Sequence, residues 1–330
     1  HHHQDLNRLR RAFQRPETVI VNEINWTATA RHADVVLPVA APPERRDFGG
    51  GQTDNILVPM PQAVDPPGEA RMEYDIYTDL STRLGTKAAF TQGRDQGAWL
   101  RHMWAETQTA AAEAGPALPD WDAFIDGDIV ELCDPTPNQV FLADFRADPT
   151  AHPRPTPSGR IELFSPTVAA FALGECPGHA VWVPPRDQSE GRFPLALVSG
   201  QPGTRLHSQY DNGATSMAAK IKGREPVLVH PADAAARNIS HGDVVEVFNA
   251  RGRCLAGARV TDEVASGVVF LWTGAWYDPD FEAPDDRDRH GNPTRQPGSR
   301  DGLDAVARVI GENAGLFVGV QLLRHRSGAT

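Results

Sequence analysis

Prolines partition this chain. Between Pro116 and Pro194 they recur at Pro135, Pro137, Pro149, Pro153, Pro155 and Pro157. A residue that lacks the backbone N–H and fixes φ at about −65° is confined to helix starts, turns and strand edges. No long helix or central strand crosses such a stretch, so it forms an extended connection between two halves built differently. Ahead of it the apolar residues recur with helical spacing, and behind it they alternate.

In the first half, Leu6, Leu9 and Phe13 share one helical face, and Pro16 ends that helix before the β-branched run Thr18-Val19-Ile20-Val21. A second short strand is expected at Ala33 to Leu37, stopped by Pro38, and Ile56-Leu57-Val58 interrupts an otherwise loop-like stretch from Ala41 to Pro67. Helical spacing returns at Tyr74 to Leu84, with Gly85 as its C-terminal stop. A further helix over Gly97 to Ala114 turns Trp99, Leu100, Met103 and Trp104 inward. The alternation Arg160-Ile161-Glu162-Leu163-Phe164 predicts a strand before the second half.

From Leu195 onward the pattern is β. Strands are expected at Leu195 to Ser199, Val227 to His230, Val244 to Phe248, Cys254 to Val260 and Val268 to Trp272, with one short helix at Ala232 to Arg237. Five strands with a single helix point to a barrel. Asp278 to Gly302, acidic and rich in Gly and Pro, is expected to be a surface loop.

Several function classes are excluded by composition and motif. Lys plus Arg number 32 against 43 Asp plus Glu, a net charge of −11, which argues against a general nucleic-acid binder. Cys133, Cys176 and Cys254 lie far apart and form no CxxC, so neither a disulfide framework nor a cysteine zinc site is suggested. A membrane helix needs roughly 18 consecutive apolar residues, and no run approaches that. The chain contains no GxSxG, HExxH, GxxxxGK[ST] or GxGxxG motif in the required context. An α/β half and a β half without a nucleophile or a metal cage fit a chain that grips a cofactor whose reactive centre is held elsewhere.

The motifs themselves carry a resemblance. His1-His2-His3-Gln4-Asp5-Leu6-Asn7 and Trp26-Thr27-Ala28-Thr29-Ala30-Arg31-His32-Ala33-Asp34-Val35-Val36-Leu37-Pro38 resemble the molybdopterin oxidoreductases of the dimethyl sulfoxide reductase family, nearest to the biotin sulfoxide and trimethylamine N-oxide reductases. Further segments agree in order, among them Glu44-Arg45-Arg46-Asp47, Thr156-Pro157-Ser158-Gly159-Arg160, Arg205-Leu206-His207-Ser208-Gln209, His230-Pro231-Ala232-Asp233 and Gly274-Ala275-Trp276-Tyr277-Asp278-Pro279. The likeness extends to about residue 293. Beyond it, Asn292-Pro293-Thr294-Arg295-Gln296 and Glu312-Asn313-Ala314-Gly315 depart from the family pattern.

The resemblance implies a fold and a division of the chain. The fold is a partial, Rossmann-like α/β cofactor-binding lobe over residues 1–115, a connector over 116–190, and a mainly β double-psi barrel over 191–330 that binds a molybdopterin dinucleotide. It implies that the histidines at the start are native and not a purification tag, and that the chain is the C-terminal part of a longer enzyme. The remainder would supply the metal ligand. The cofactor implied is Mo-bis(molybdopterin guanine dinucleotide), and the reaction is oxygen removal from an S-oxide or N-oxide, with electrons from a donor protein or NAD(P)H. A cytoplasmic location is favoured over a periplasmic one. The alternatives are a fragment of a formate dehydrogenase or nitrate reductase type enzyme and a non-catalytic nucleotide-binding module of the same fold.

The resemblance also nominates residues. A carboxylate accepts from guanine N1–H and its amino group together, and Glu23 takes that role by similarity, with Asn22 beside it. Arg45 is expected at a phosphate or the guanine end, and Glu73 at a ribose or guanine. Arg205, His207, Ser208 and Gln209 follow a strand and are expected to reach the cofactor, His207 at a pterin or its phosphate. Gln201 and His2 complete the set. His230 and His241 are expected to support helix and turn geometry, and Trp26, Trp276 and Tyr277 to be core or domain-contact aromatics.

Overall fold

The computed structural model of the protein describes residues 6–51, 54–114, 117–132, 140–182, 191–250, 252–280, 287–288 and 318–324. Two compact units emerge, one of residues 18–161 and one that joins residues 1–17 to 162–330. The chain opens with α1 (Leu6–Phe13), whose buried face is led by Leu6.

In the unit of residues 18–161, β1 (Ile20–Glu23) leads through α2 (Ala28–Arg31) to β2 (Val35–Pro38), which pairs with it in parallel. Thr27 starts α2 by accepting the Ala30 N–H at 3.2 Å, so one orphan donor of the first turn is satisfied. The register sets Ile20 opposite Val35 and Glu23 opposite Pro38. β3 (Asp47–Gly49), β4 (Ile56–Met60) and β5 (Val130–Glu131) form a small antiparallel sheet. Helix α3 (Glu73–Arg83) ends in a Schellman turn, with Thr86 N–H on the Ser81 carbonyl and Gly85 N–H on that of Thr82. Gly85 holds φ at +72° there, the conformation that glycine adopts without strain.

α4 (Lys87–Thr91), α5 (Gln96–Ala114) and α6 (Trp121–Ile125) follow, and α7 (Ala143–Ala147) lies beyond β5. The core of this unit is aromatic. Trp104 of α5 stacks on Phe124 of α6 with ring centroids 3.8 Å apart, and Phe48 meets Trp104 edge-on at 5.6 Å. Leu100, Trp121 and Ile125 complete the cluster, and the Trp104 indole N–H donates to the Pro119 carbonyl at 3.1 Å. Asp120 caps α6 through the Ala123 N–H at 2.8 Å, which fixes the angle at which Trp121 and Phe124 enter the cluster.

The other unit adds α8 (Pro166–Ala169) and then a curled sheet. Its strands are β6 (Leu195–Gly200), β7 (Pro226–Val229), β8 (Val244–Phe248), β9 (Arg253–Val260), β10 (Val268–Trp272) and β13 (Val318–Arg324). A small pair, β11 (Pro279–Asp280) and β12 (Arg287–Asp288), extends it beside β9. The ladder runs β9-β7-β10-β6-β13-β8, and β8 pairs back to β9, so the six strands close on themselves. Closure removes exposed strand edges. Two of the pairs, β10 with β6 and β7 with β9, are parallel, and the rest are antiparallel. Alternating residues fill the interior: Val245 and Val247, Cys254, Ala256 and Ala258, Val269 and Leu271, with Leu195, Val227, Val229 and Leu322.

Two short helices complete the unit. α9 is Ala214–Ala218 and α10 is Pro231–Ala235. His230 Nδ1 accepts the Ala232 N–H at 3.2 Å and Pro231 opens the helix, so His230 has the helix-supporting role expected of it.

Four departures from the sequence reading have physical reasons. Residues 160–164 form no strand, and Leu163 is 86% exposed; alternation without a partner strand does not make a sheet. β13 is a sixth barrel strand in the region where the family motifs fade. Met103 lies on the exposed side of α5 although Leu100 and Trp104 are buried, because the face that meets α6 is narrow. Trp26 is 63% exposed and is no core residue, whereas Trp276 and Tyr277 are buried.

The aromatic cluster gives a direct test. Truncating a fully buried Trp loses its contacts and leaves a cavity, at a cost of about 3–5 kcal/mol. Urea unfolding is expected to show that loss for Trp104→Ala and a change within about 0.5 kcal/mol for the neighbouring Met103→Ala. Equal effects of the two variants contradict this core.

Candidate functional site

Candidate residues fall at one locus in each unit. In the barrel unit the relevant end is set by register. β10 and β6 are parallel with Trp272 opposite Gly200, so the loops that follow them leave side by side. Carboxyl ends of neighbouring parallel strands are where loop groups meet ligands in many α/β proteins.

These two loops are tied together. Thr273 N–H donates to the Gly200 carbonyl at 2.9 Å, and the Trp276 indole N–H to the Ser208 carbonyl at 2.7 Å. Gly274 has φ +85°, and a Cβ there would lie 2.1 Å from the His207 carbonyl oxygen. Only glycine permits this approach. His207 and Tyr210 themselves adopt left-handed backbone, with φ of +51° and +53°.

Beneath the loop lies a buried quartet of charges. The Arg205 guanidinium reaches Glu225 at 3.1 Å and Asp211 at 3.4 Å, and the Lys220 ammonium reaches Asp211 at 2.7 Å. All four side chains are 5% exposed or less. Arg205 also donates to the Ser216 hydroxyl at 3.1 Å, the Thr273 carbonyl at 2.8 Å and, through Nε, the His207 carbonyl at 3.1 Å. The Ser216 hydroxyl in turn donates a hydrogen bond to Asp211 at 3.2 Å, and the Trp276 backbone N–H donates to Asp211 at 2.9 Å. Two cations balance two anions, the condition under which such charges are tolerated inside a protein.

The two carboxyls shift in opposite directions. Burial pushes Asp211 up, but hydrogen bonds from Lys220 and the Trp276 N–H, together with the charges of Lys220 and Arg205, outweigh it and hold the group below its ordinary value. For Glu225 burial wins, and the carboxyl sits above its ordinary value against the pull of Arg205 and Lys220.

The nominated residues of this loop sit around that foundation. Gln201 Nε2 lies 2.9 Å from His207 Nδ1, and in this orientation of the amide Nδ1 accepts while Nε2 carries the proton. Gln201, His207 and Gln209 are exposed, and Ser208 is half-buried with its carbonyl on Trp276. Gln209 N–H closes the turn on the Leu206 carbonyl at 2.9 Å. Arg205 faces inward, onto the quartet.

The other locus lies in the unit of residues 18–161, at the carboxyl ends of β1 and β2. Glu23 Oε1 accepts the Ile24 N–H at 2.9 Å and Oε2 accepts the Thr27 hydroxyl at 3.0 Å, so the carboxylate is held in one orientation. Asn22 Nδ2 donates to the Tyr77 hydroxyl at 2.8 Å and lies 3.4 Å from Glu73 Oε1. Asn22 and Glu73 are therefore brought together beside Glu23, its neighbour on β1. Arg45 is paired with Asp47 and has no described bond to that group. His2 lies outside the described residues.

Sequence reasoning missed several members of these arrangements. Tyr77 lies on α3 and carries no motif of its own. Asp211, Lys220 and Glu225 carry no motif of their own, though Glu225 standing directly before the wholly buried strand Pro226–Val229 is a signal that a charge partner must exist. Among the described residues, no group of three or more His, Cys, Asp or Glu side chains is placed to hold a metal ion.

Comparison with known proteins follows the same two parts of the chain. Residues 1–83 match the family model of the molybdopterin oxidoreductases, and residues 195–298 that of the molydopterin dinucleotide binding domain. The chain is 44% identical over 289 residues to a biotin sulfoxide reductase of Cereibacter sphaeroides, an alignment covering 86% of this chain and 39% of that protein. It is 42% identical over 284 residues to a dimethyl sulfoxide/trimethylamine N-oxide reductase of the same organism, with 84% and 34% covered. A trimethylamine-N-oxide reductase of Haemophilus influenzae is 41% identical over 286 residues, with 84% and 35% covered. The chain thus spans between 34% and 39% of the length of these relatives. Acetylene hydratase from Pelobacter acetylenicus has a similar fold, with a TM-score of 0.67 at 18% identity over 96% of this chain and 41% of that one.

The quartet predicts a pH-dependent stability. Removing one partner from a buried charge pair costs about 3–5 kcal/mol. Asp211 titrates lower in the folded chain than in the unfolded one, so its contribution is full above the ordinary carboxylate range and is lost as pH falls through the folded value. Glu225, with its raised value, has the opposite slope, and because the Asp211 charge is a minor contributor to that raised value, Asp211→Asn reduces this opposing slope slightly. Urea unfolding is expected to place Asp211→Asn about 3–5 kcal/mol below wild type at neutral pH, with the gap closing below about pH 4. A gap that stays constant down to pH 3 contradicts the assignment.

Proposed function

This chain belongs to the molybdopterin oxidoreductase family, and we propose that it is the part of a longer enzyme that grips the guanine dinucleotide tails of Mo-bis(molybdopterin guanine dinucleotide). The reaction of the whole enzyme is reduction of an S-oxide or N-oxide, of the kind named in its relatives, with electrons from a donor protein or NAD(P)H. The observation that carries this reading is that Asn22 and Glu23 in one unit, and Gln201 to Gln209 in the other, lie at or just past the carboxyl end of a parallel strand pair. The partial, Rossmann-like cofactor lobe falls in the unit of residues 18–161, whose core takes in α6 from the proline-rich stretch 116–190, and residues 191–330 serve as the dinucleotide-binding domain. The β-α-β unit supports the first of these. The closed six-stranded ladder with its two parallel pairs supports reading the last as a double-psi barrel.

The residues present suit such a group. A carboxylate has acceptor capacity for about four hydrogen bonds; Glu23 has two described donors, one on each oxygen. The same two donors fix its plane, which favours bidentate acceptance from the N1–H and amino group of guanine. Asn22, Glu73 and Tyr77 supply polar groups alongside for a ribose. On the barrel, His207 with its proton on Nε2 is a donor for a phosphate oxygen or a pterin, and Ser208 and Gln209 add polar groups beside it. Arg45, paired with Asp47 in the same unit, is proposed as a phosphate contact by resemblance alone.

When bound, the molybdenum centre supplies the oxygen-accepting, two-electron chemistry. The residues of this chain bind and orient. Holding the guanine and the pyrophosphate at fixed points would restrict the pterin joined through that pyrophosphate, which is the orienting role these residues would have.

Calorimetry on the 330-residue chain tests the reading. Guanosine diphosphate is expected to bind more tightly than adenosine diphosphate. Glu23→Gln is expected to weaken guanosine diphosphate about tenfold or more, the worth of a hydrogen bond to a charged acceptor, and to abolish the base preference. Absence of any guanine preference overturns it. The purified chain with a chemical reductant is expected to leave biotin sulfoxide and trimethylamine N-oxide unreduced. Turnover by the chain alone contradicts its being one part of a longer enzyme.

A further inference from the structure

We propose that Arg205 is a positioning residue. From its buried seat it fixes the backbone of the loop after β6, and so the direction in which the Gln201–His207 pair is presented. The inference rests on the reading of His207 as a ligand contact and adds what holds it in place.

The geometry gives the guanidinium three separate duties. One edge is anchored in the quartet, by Glu225 at 3.1 Å and by Asp211 and Ser216 at 3.4 and 3.1 Å. Nη2 holds the Thr273 carbonyl, at the start of the loop after β10, at 2.8 Å. Nε holds the carbonyl of His207 itself at 3.1 Å. One planar group thus pins two loops to one buried charge centre. The left-handed backbone of His207 is disfavoured for a residue with a side chain, and it persists where its surroundings over-determine it.

The other face of the same carbonyl is closed by Gly274, where a Cβ would stand 2.1 Å from the His207 oxygen. The His207 peptide is held from behind by Arg205 and bounded in front by a glycine that admits no side chain. Lysine cannot replace Arg205, because a single ammonium does not reach the two carbonyls and the carboxylate at once. The quartet therefore does more than neutralise charge. Asp211 extends the clamp, since its carboxylate takes the Trp276 backbone N–H at 2.9 Å while the Trp276 indole holds the Ser208 carbonyl at 2.7 Å.

A double-mutant cycle on the 330-residue chain, with guanosine diphosphate as the probe, separates positioning from general destabilisation. Arg205→Lys is expected to weaken the probe about tenfold in the wild-type background and to have no effect in a His207→Ala background, because the cycle isolates what the two residues do together. Gly274→Ala disturbs the same carbonyl while leaving all four buried charged side chains in place, and is expected to behave alike. It decides the matter if Arg205→Lys does not fold.

Hydrogen exchange supplies a readout that needs no ligand. Faster exchange in Arg205→Lys is expected in residues 201–213 and 273–278, with the strands around Val245, Val227 and Val269 unchanged. Faster exchange throughout the barrel, or none in these loops, overturns the positioning role. If His207→Ala leaves probe binding unchanged, the reading of His207 as a ligand contact fails. If it weakens binding while Arg205→Lys and Gly274→Ala do not, the positioning role fails alone.

Discussion

Four buried charges organise the end of the barrel where the loops after β6 and β10 meet. Burying Arg205, Lys220, Asp211 and Glu225 is tolerated because each has an opposite partner within reach, and removing any one of them would leave a charge without compensation. A hydrophobic cluster of the same volume would hold the loops as firmly against water. It would not hold individual carbonyls at fixed points. The guanidinium does so because its donors lie in one plane and point in set directions. The stability of this region and the direction of its loops therefore have a common source.

A shared logic links the two loci although they lie in separate units. In each, two parallel strands stop together and polar groups lie at or just past their ends, Asn22 and Glu23 closing β1 and Gln201 to Gln209 following β6. A parallel pair sends both chains out at the same end, whereas a hairpin returns one of them, so loops gather at one rim only when strands run the same way. At the first locus a short helix capped by Thr27 follows directly, and the same hydroxyl that caps the helix also steadies the Glu23 carboxylate. At the second, a buried ion network plays the steadying part. Small local devices in both places turn flexible loop residues into fixed donors and acceptors.

Much of the fold was legible in the sequence where one face of an element is buried. β6 to β10 emerged from alternation because a barrel strand sends every second residue inward, and α3 and α5 from their spacing. α6 left no such trace, since five residues are too few to show a period, yet Trp121 and Phe124 form the heart of their core. β13 lies beyond residue 293, where the family likeness ends, and only its pairing with β6 and β8 places it in the ladder. The reverse error occurred at residues 160–164, where alternation promised a strand that lacks a partner. At the sites, single residues such as Glu23 and His207 were nominated by motif, and their pairing with Thr27 and Gln201 became visible only in three dimensions. The quartet was not legible at all. Its partners lie up to 20 positions apart, between Arg205 and Glu225, and ion pairs across loops follow from tertiary contact and not from any repeat.

The central claim is the proposal that each unit, by Asn22 to Thr27 with Glu73 in one and by Gln201 to Gln209 in the other, contacts the guanine dinucleotide of the cofactor. Backbone NMR of the isotopically labelled 330-residue chain, titrated with guanosine diphosphate, tests it most directly. The account predicts saturable shift changes confined to Asn22 to Thr27, Glu73 to Tyr77 and Gln201 to Tyr210. Changes confined instead to the α5–α6 cluster, or an unperturbed spectrum at saturating nucleotide, would contradict it.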